Sequence, residues 1–260
     1  MGQRRAPHLR PNANRILLTI DLTTAVVEEA LSTQTAFIVS YHPPIFKPLS
    51  SFTLANSIQS SLLRCAAAGI SVYSPHTALD SVTGGINDWL YSCLTSGSQH
   101  GDYTITYVGE EKEQGLGGEG RLIAFETPLA MKVLEGRIKG HLKLDQIQVA
   151  YTSARDLTTI SSVAICAGSG GSMLLGVDAD VYFTGEMSHH EVLAAVASGH
   201  NVVLCGHTNT ERGYLPILAK KLAEELQNEL SDATDPAAAT ALQSLKPVIS
   251  EADKHPLKFV

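Results

Sequence analysis

Three apolar runs in this chain each stop at a histidine: Phe37 to His42, Ile70 to His76 and Asn201 to His207. Two of these histidines are followed four residues on by a carboxylate, Asp80 after His76 and Glu211 after His207. On a helical turn that spacing puts both side chains on one face. Neutral imidazoles and carboxylates that converge suit a divalent metal such as zinc, iron or manganese. Carboxylate oxygens can also bridge two cations, and a pair of ions about 3.5–4 Å apart polarises a substrate and generates hydroxide near neutral pH. The chemistry to expect is hydrolysis of a small molecule. A single histidine after a strand is more often an ordinary loop residue. Three such endings, two with a carboxylate at the same offset, weigh towards one shared metal site.

The elements that must position these residues follow from the same runs. Each is rich in Val, Ile, Phe or Tyr and bounded by Gly, Pro or Ser, which predicts buried strands. Each is followed by a helix-like stretch, so the strands are expected to be parallel, with the histidines at their carboxyl ends. In an open α/β sheet that edge binds ligands. Strands are predicted at 15–20, 37–40 and 70–73, alternating with helices at 23–31, 54–68 and 86–94, the second stopped by Gly69. A glycine- and glutamate-rich stretch at 97–120 surrounds a short strand at 104–108. Strands at 121–125 and 145–151 flank a helix from Pro128 to Ile138. A second series has strands at 163–166, 181–184 and 202–205, with Ser188 and Glu191 as a capping box. A helix at 213–230 and a strand near Val248 complete the pattern. The fold class expected is α/β with mostly parallel sheets and flanking helices: a basic mobile tail at 1–14, a first lobe at 15–110 and a second at 111–260.

Composition narrows the function. The 260 residues are 44% apolar and 17% charged, as in a compact soluble protein with a full core. A formal net charge of −7 argues against a general nucleic-acid surface. No apolar run approaches the roughly 20 residues of a membrane span. Cys65, Cys93, Cys166 and Cys205 lie in apolar contexts without Cys-x-x-Cys spacing and read as buried thiols of a reducing compartment. Cys205, two residues before His207, is a possible soft ligand. A cytoplasmic location is expected, with a mitochondrial one open because Arg4, Arg5, Arg10 and Arg15 precede the first acidic residue, Asp21.

Several segments together resemble the Nif-three-like (Ngg-one-interacting factor three-like) family, whose bacterial members are often labelled GTP cyclohydrolase type 2 homologues. They are Ser40 to Phe46, Pro75 to Asp80, Thr184 to His190 and Gly206 to Arg212, supported by Leu17 to Thr23, Ala167 to Gly171 and Ser250 to Pro256. The resemblance implies a two-lobed fold with a dinuclear metal centre between the lobes and a homo-oligomeric ring of dimers. Carried over, it makes His42, Asp80, His207 and Glu211 the metal ligands, with Glu211 the bridge. His76 becomes a neighbour that orients Asp80 or touches substrate, and His190 a proton shuttle at the open face. The substrate implied is small and nucleotide-like. The alternative is an oligomeric scaffold or regulatory partner of another protein, with its metals structural.

Two departures stand out. Tyr41 occupies the place of a first histidine in many bacterial members, and a phenol with a pKa of about 10 is a poor ligand at neutral pH. The family's N-terminal helix and its Trp-Asp-Asn-Val-Gly-Leu-like stretch are not seen, so the first lobe is expected to lack an element. Ala167 to Gly171, between a strand and an apolar run, could cradle a phosphate or simply pack a tight strand-to-helix turn; the second reading is preferred. His189 is expected to be exposed, and His8, His100, His141, His200 and His255 show no partner pattern.

Overall fold

The computed structural model describes residues 6–95, 102–109 and 117–257. The chain divides into two compact units, Met1–His76 with Tyr214–Val260, and Thr77–Gly213. The expected boundary at 110 therefore lies inside the second unit. The reason is the last strand, which returns to pair with the first instead of extending the second sheet. The glutamates at 110, 111 and 113, and glycines 97, 101 and 115, fall outside the described residues.

The first unit begins with β1 (Arg15–Thr19), α1 (Thr24–Ser32), β2 (Thr35–Ser40), α2 (Ser57–Ala67) and β3 (Ser71–Tyr73). Thr23 starts α1 by accepting from the Val26 amide at 3.3 Å, and Val26, Val27 and Ala30 turn inward. They pack with Leu17, Ile38, Leu62, Cys65, Ile70 and Val72 in one core. Each large apolar side chain buried there contributes about 1.5–3 kcal/mol. The basic tail is not loose from residue 6 on. Arg10 donates to the carbonyls of Ala30 and Leu31, at 2.8 and 2.7 Å, and so caps the carboxyl end of α1. Gly69 (φ 74) lets this segment pass, since a Cβ there would stand 2.8 Å from the Arg10 nitrogen.

The second unit holds α3 (Thr77–Ser81), α4 (Ile86–Ser92), β4 (Tyr103–Val108), β5 (Gly120–Ala130), α5 (Met131–Leu142) and β6 (Gln148–Ala150). It continues through β7 (Thr159–Ser169), α6 (Gly171–Leu174), β8 (Val181–Glu186), α7 (His189–Ala197), β9 (Asn201–Leu204) and α8 (Asn209–Arg212). The strand order is β4-β5-β7-β8-β9-β6. The β7/β8 and β8/β9 pairs are parallel and the other three antiparallel. Alternation along the central strands supplies two covered faces. Val163, Ile165, Val181, Phe183 and Val203 enter one core, while Ala164, Tyr182 and Val202 enter another. Pro128 does not start α5 but lies in β5, where the register shifts between Ala124 and Leu129. A proline cannot donate to the ladder, so an irregular stretch accommodates it before pairing resumes.

The chain then returns to the first unit through α9 (Leu215–Asp232), α10 (Pro236–Ser244) and β10 (Lys246–Ile249). The first sheet is wholly parallel, in the order β10-β1-β2-β3. Asp253 fixes the return by accepting from the Ile20 amide at 2.7 Å.

Candidate metal centre

In the first unit the chemistry lies at the carboxyl ends of β1 and β2. The Tyr41 and His42 amides donate to Thr19 and Ile20 carbonyls at 2.9 and 3.0 Å, prolonging the parallel pairing past the strands. His42 is thereby fixed beside Asp21, and its Nδ1 lies 2.9 Å from Asp21 Oδ1. A neutral imidazole that donates through Nδ1 presents Nε2 as a lone pair, the arrangement of most metal-ligating histidines. Aromatic rings flank it. Tyr41 is buried with its ring 4.8 Å from His42, and His76 lies 5.9 Å away, with Phe46 edge-on to His76. His76 has a left-handed backbone (φ 46) and precedes α3. The four-residue spacing to Asp80 therefore does not put the two on one helical face.

In the second unit β8 ends in Glu186, and His207 follows β9 by three residues. His207 Nδ1 lies 2.8 Å from Glu186 Oε1, and its Nε2 lies 3.3 Å from Glu211 Oε1. Glu211 is only 1% exposed, on the single turn of α8. Here the four-residue spacing does bring imidazole and carboxylate together. Glu211 as hydrogen-bond acceptor, against the opposing effect of burial, pushes the His207 pKa up to about 9; the charges of Glu211 and Glu186 add to it. Without a metal, the site thus already holds a cation, a proton on imidazole between two carboxylates. That donor set fits a divalent ion, which would take the proton's place.

Glycines let the strand ends close around this pair. A Cβ at Gly168 would stand 2.6 Å from Glu211 Oε1 and 3.0 Å from His207 Nε2, and one at Gly185 would stand 2.8 Å from the His207 Cα. Thr210 ties the turn down, accepting from the Gly168 amide at 2.9 Å and donating to the His207 carbonyl at 2.7 Å. The Ala167 to Gly171 segment is thus glycine-rich because side chains would collide, as the packing reading expected. Asp80 is buried on α3. With Glu119 and Glu211 it adds to burial, the main cause, in pushing the Cys166 thiol up to about 12. Cys166 itself is half-buried, whereas the other three thiols are buried. Cys205 packs in the core with its pKa raised by burial, a poor setting for a thiolate ligand. His190 is exposed on the first turn of α7, its ring 5.4 Å from His189, while Glu186 and Glu211 supply the contacts that fix His207.

Asp21 and Glu186 were not among the expected site residues. A signal for them exists in the sequence. Asp21 precedes His42 by 21 residues, and Glu186 precedes His207 by the same 21. Without a gap, that alignment matches the helix caps Thr23 with Ser188 and Thr33 with Ser198, and the fully buried Ala30 with Ala195. Each unit uses one strand–helix–strand segment to hold a histidine by a carboxylate from the neighbouring strand.

Comparison with known proteins agrees with this architecture. The family model for Duf34/NIF3 (NGG1p interacting factor 3) matches residues 8–236. The chain is 45% identical over 230 residues to the protein NIF3 homolog of Schizosaccharomyces pombe, covering 88% of this chain and 82% of that protein. It is 43% identical over 228 residues to NIF3-like protein 1 of Drosophila melanogaster, covering 84% and 74%. Its fold matches the crystal structure of a Bacillus cereus protein related to NIF3, with a TM-score of 0.71 at 19% identity, covering 100% and 93%. This chain belongs to the Duf34/NIF3 family.

Proposed function

We propose that the chain binds divalent metal through His42, Asp80, His207 and Glu211 and hydrolyses a small, nucleotide-like substrate. The observation that carries this reading is the repeated device: two imidazoles, each held at Nδ1 by a carboxylate, so that Nε2 is the nitrogen that would meet a metal, in exchange for the Glu211 contact at His207. The donor types of His42, His207 and Glu211, two imidazoles and a carboxylate, would together suit one ion. A second ion would be held by Asp80 together with Glu211. Zinc, iron and manganese all accept such ligands. An ion bound there supplies Lewis acidity and a water activated near neutral pH. The chain's own residues do the rest. Asp21 and Glu186 set the imidazole orientation, Gly168 leaves room at Glu211, and His76 packs on His42 where it could orient a substrate. His190, exposed on α7, would carry protons to solvent.

Metal analysis of the purified chain should find about one to two divalent ions per chain. Full metal content in Glu211→Ala would show the donor set to be wrong. Metal-loaded protein should turn over members of a panel of phosphate esters and cyclohydrolase substrates, and activity that survives chelation would overturn the hydrolase.

A second reading, a metal-stabilised scaffold that assembles into a homo-oligomer and binds a protein partner, has its own observation. Phe46, Leu49, Phe52, Leu54 and Ile58 of the first unit are all exposed apolar residues in one stretch of chain. A metal-dependent change in assembly size by light scattering, with no turnover, would favour it.

A further inference from the structure

We propose that Asn87 is the positioning residue of the second unit's metal donors, an inference that rests on the metal reading above. Asn87 is fully buried on α4, and its amide joins three separate segments. Nδ2 donates to the Asp80 carbonyl at 3.3 Å and to the Glu119 carbonyl at 2.8 Å. Oδ1 accepts from the Ala167 amide at 2.9 Å. Two donors and one acceptor are needed in a fixed arrangement, and among the side chains of this size only an uncharged amide supplies them. A carboxylate would set oxygen against two carbonyls, and an aliphatic side chain would leave three buried backbone groups unmet.

The three segments are those that carry the site. Asp80 sits on one. Ala167 on another precedes Gly168, whose amide is held by Thr210 and whose Cα faces Glu211 and His207. Glu119, on the third, leads into β5. The next residue on α4 reinforces the arrangement. Asp88 pairs with the buried Arg121 at 2.6 Å, and that guanidinium donates to the carbonyls of Ser81 (3.2 Å), Gly118 (2.6 Å) and Gly120 (3.0 Å). One turn of α4 therefore sets where Asp80 lies relative to the glycine cradle of His207 and Glu211. None of these groups is a ligand; Asn87 acts through the backbone of Asp80, a proposed ligand, and of Ala167, which leads into the glycine cradle of His207 and Glu211.

The test separates positioning from plain stability in the full-length chain. Cobalt(II) serves as the probe, read by its visible absorption spectrum and by a chelator-competition dissociation constant, with the melting temperature measured alongside. Asn87→Ser should weaken cobalt binding by about tenfold or more, the range for groups that orient ligands, and change the spectrum. The control is Asp180→Asn, which disturbs another buried polar group of this unit, an acceptor for the Ser161 and Ser162 amides at 2.6 and 3.2 Å. It should lower the melting temperature and leave cobalt affinity and spectrum unchanged. A wild-type spectrum and affinity in Asn87→Ser overturns the inference, as does an equal change in Asp180→Asn. Should Asn87→Ser fail to fold, hydrogen exchange in the wild-type chain decides. Metal that depends on the Asn87 contact must strengthen it in return, so the Ala167 amide should exchange at least about tenfold more slowly with zinc than without; unchanged exchange overturns the inference. If the wild-type chain binds no cobalt, the metal reading itself falls. If Glu211→Ala loses cobalt and Asn87→Ser does not, the positioning role alone falls.

Discussion

The two units hold a histidine in the same way and surround it differently. In the first, His42 rests on Asp21 and is walled by Tyr41 and His76, so its surroundings are rings. In the second, His207 lies between Glu186 and the buried Glu211, so its surroundings are anions. A carboxylate on the neighbouring strand fixes the imidazole in both. What differs is the residue that follows: a proline-rich turn after His42, and a one-turn helix that carries Glu211 back to His207. The same scaffold segment thus yields an arm walled by rings in one unit and a charged arm in the other.

Removing the buried carboxylate of the charged arm should break that contrast most severely. Glu211→Ala should weaken divalent-metal binding by more than about a hundredfold, beyond the effect of losing a group that only orients a ligand. Isothermal titration with zinc reads it directly, and a smaller loss would mean that the anionic arm is not where the ion is held. Next come the two orienting carboxylates. Asp21→Asn and Glu186→Gln should each cost about 10- to 100-fold in metal affinity. Asp21→Asn should fall at the upper end, because Asp21 is 38% exposed and Glu186 55%. Equal losses would erase the distinction between the arms.

The charged arm should also show in pH dependence. His207 has its folded pKa raised to about 9, above the ordinary value of about 6.5. The metal-free chain therefore gains stability from the protonated imidazole below pH 6.5 and loses it as pH rises through 9. Metal affinity should move oppositely across that window, since binding displaces the proton. Chemical denaturation of the metal-free chain at pH 6, 7.5 and 9 checks this, and His207→Gln should flatten the profile. A flat profile in the unsubstituted chain would count against the two-carboxylate arrangement.

Gly168→Ala sharpens the same arm sterically. A left-handed residue (φ 66) with a methyl 2.6 Å from Glu211 Oε1 should cost about 1–3 kcal/mol in denaturant unfolding. The smallest expected effect compares the aligned helix starts. Thr23→Ala and Ser188→Ala should each cost about 1 kcal/mol. The two costs should be alike, because each substitution removes one side-chain acceptor, and the Glu191 bond to the residue 188 amide survives Ser188→Ala.

Much of this was legible in the sequence, for physical reasons. Buried parallel strands announce themselves as apolar runs, so His42 and His207 stood out at their ends. The capping box announced α7. Glu211 was found through its spacing, which holds because α8 begins directly after His207. The same spacing misled at His76, whose left-handed backbone takes it off the helix. Asp21 and Glu186 were missed because a carboxylate after a strand looks like any loop residue until the histidine of the neighbouring strand is set beside it. The division of the chain was hidden for another reason. β10 is four residues long and contains Pro247, too weak a pattern to show that it pairs with β1. Arg10 was assigned to a loose tail because its partners are backbone carbonyls, which no sequence pattern displays.

The return of β10 to β1 also sets an order of events during synthesis. Every strand of the second unit's sheet has been made by Leu204, so that sheet can close while the chain is still growing. The first sheet must wait for residues 246–249, and for Asp253 to reach the Ile20 amide. Until then β1, though made first, keeps one edge open, and His42 depends on a strand pair that lacks its outer neighbour.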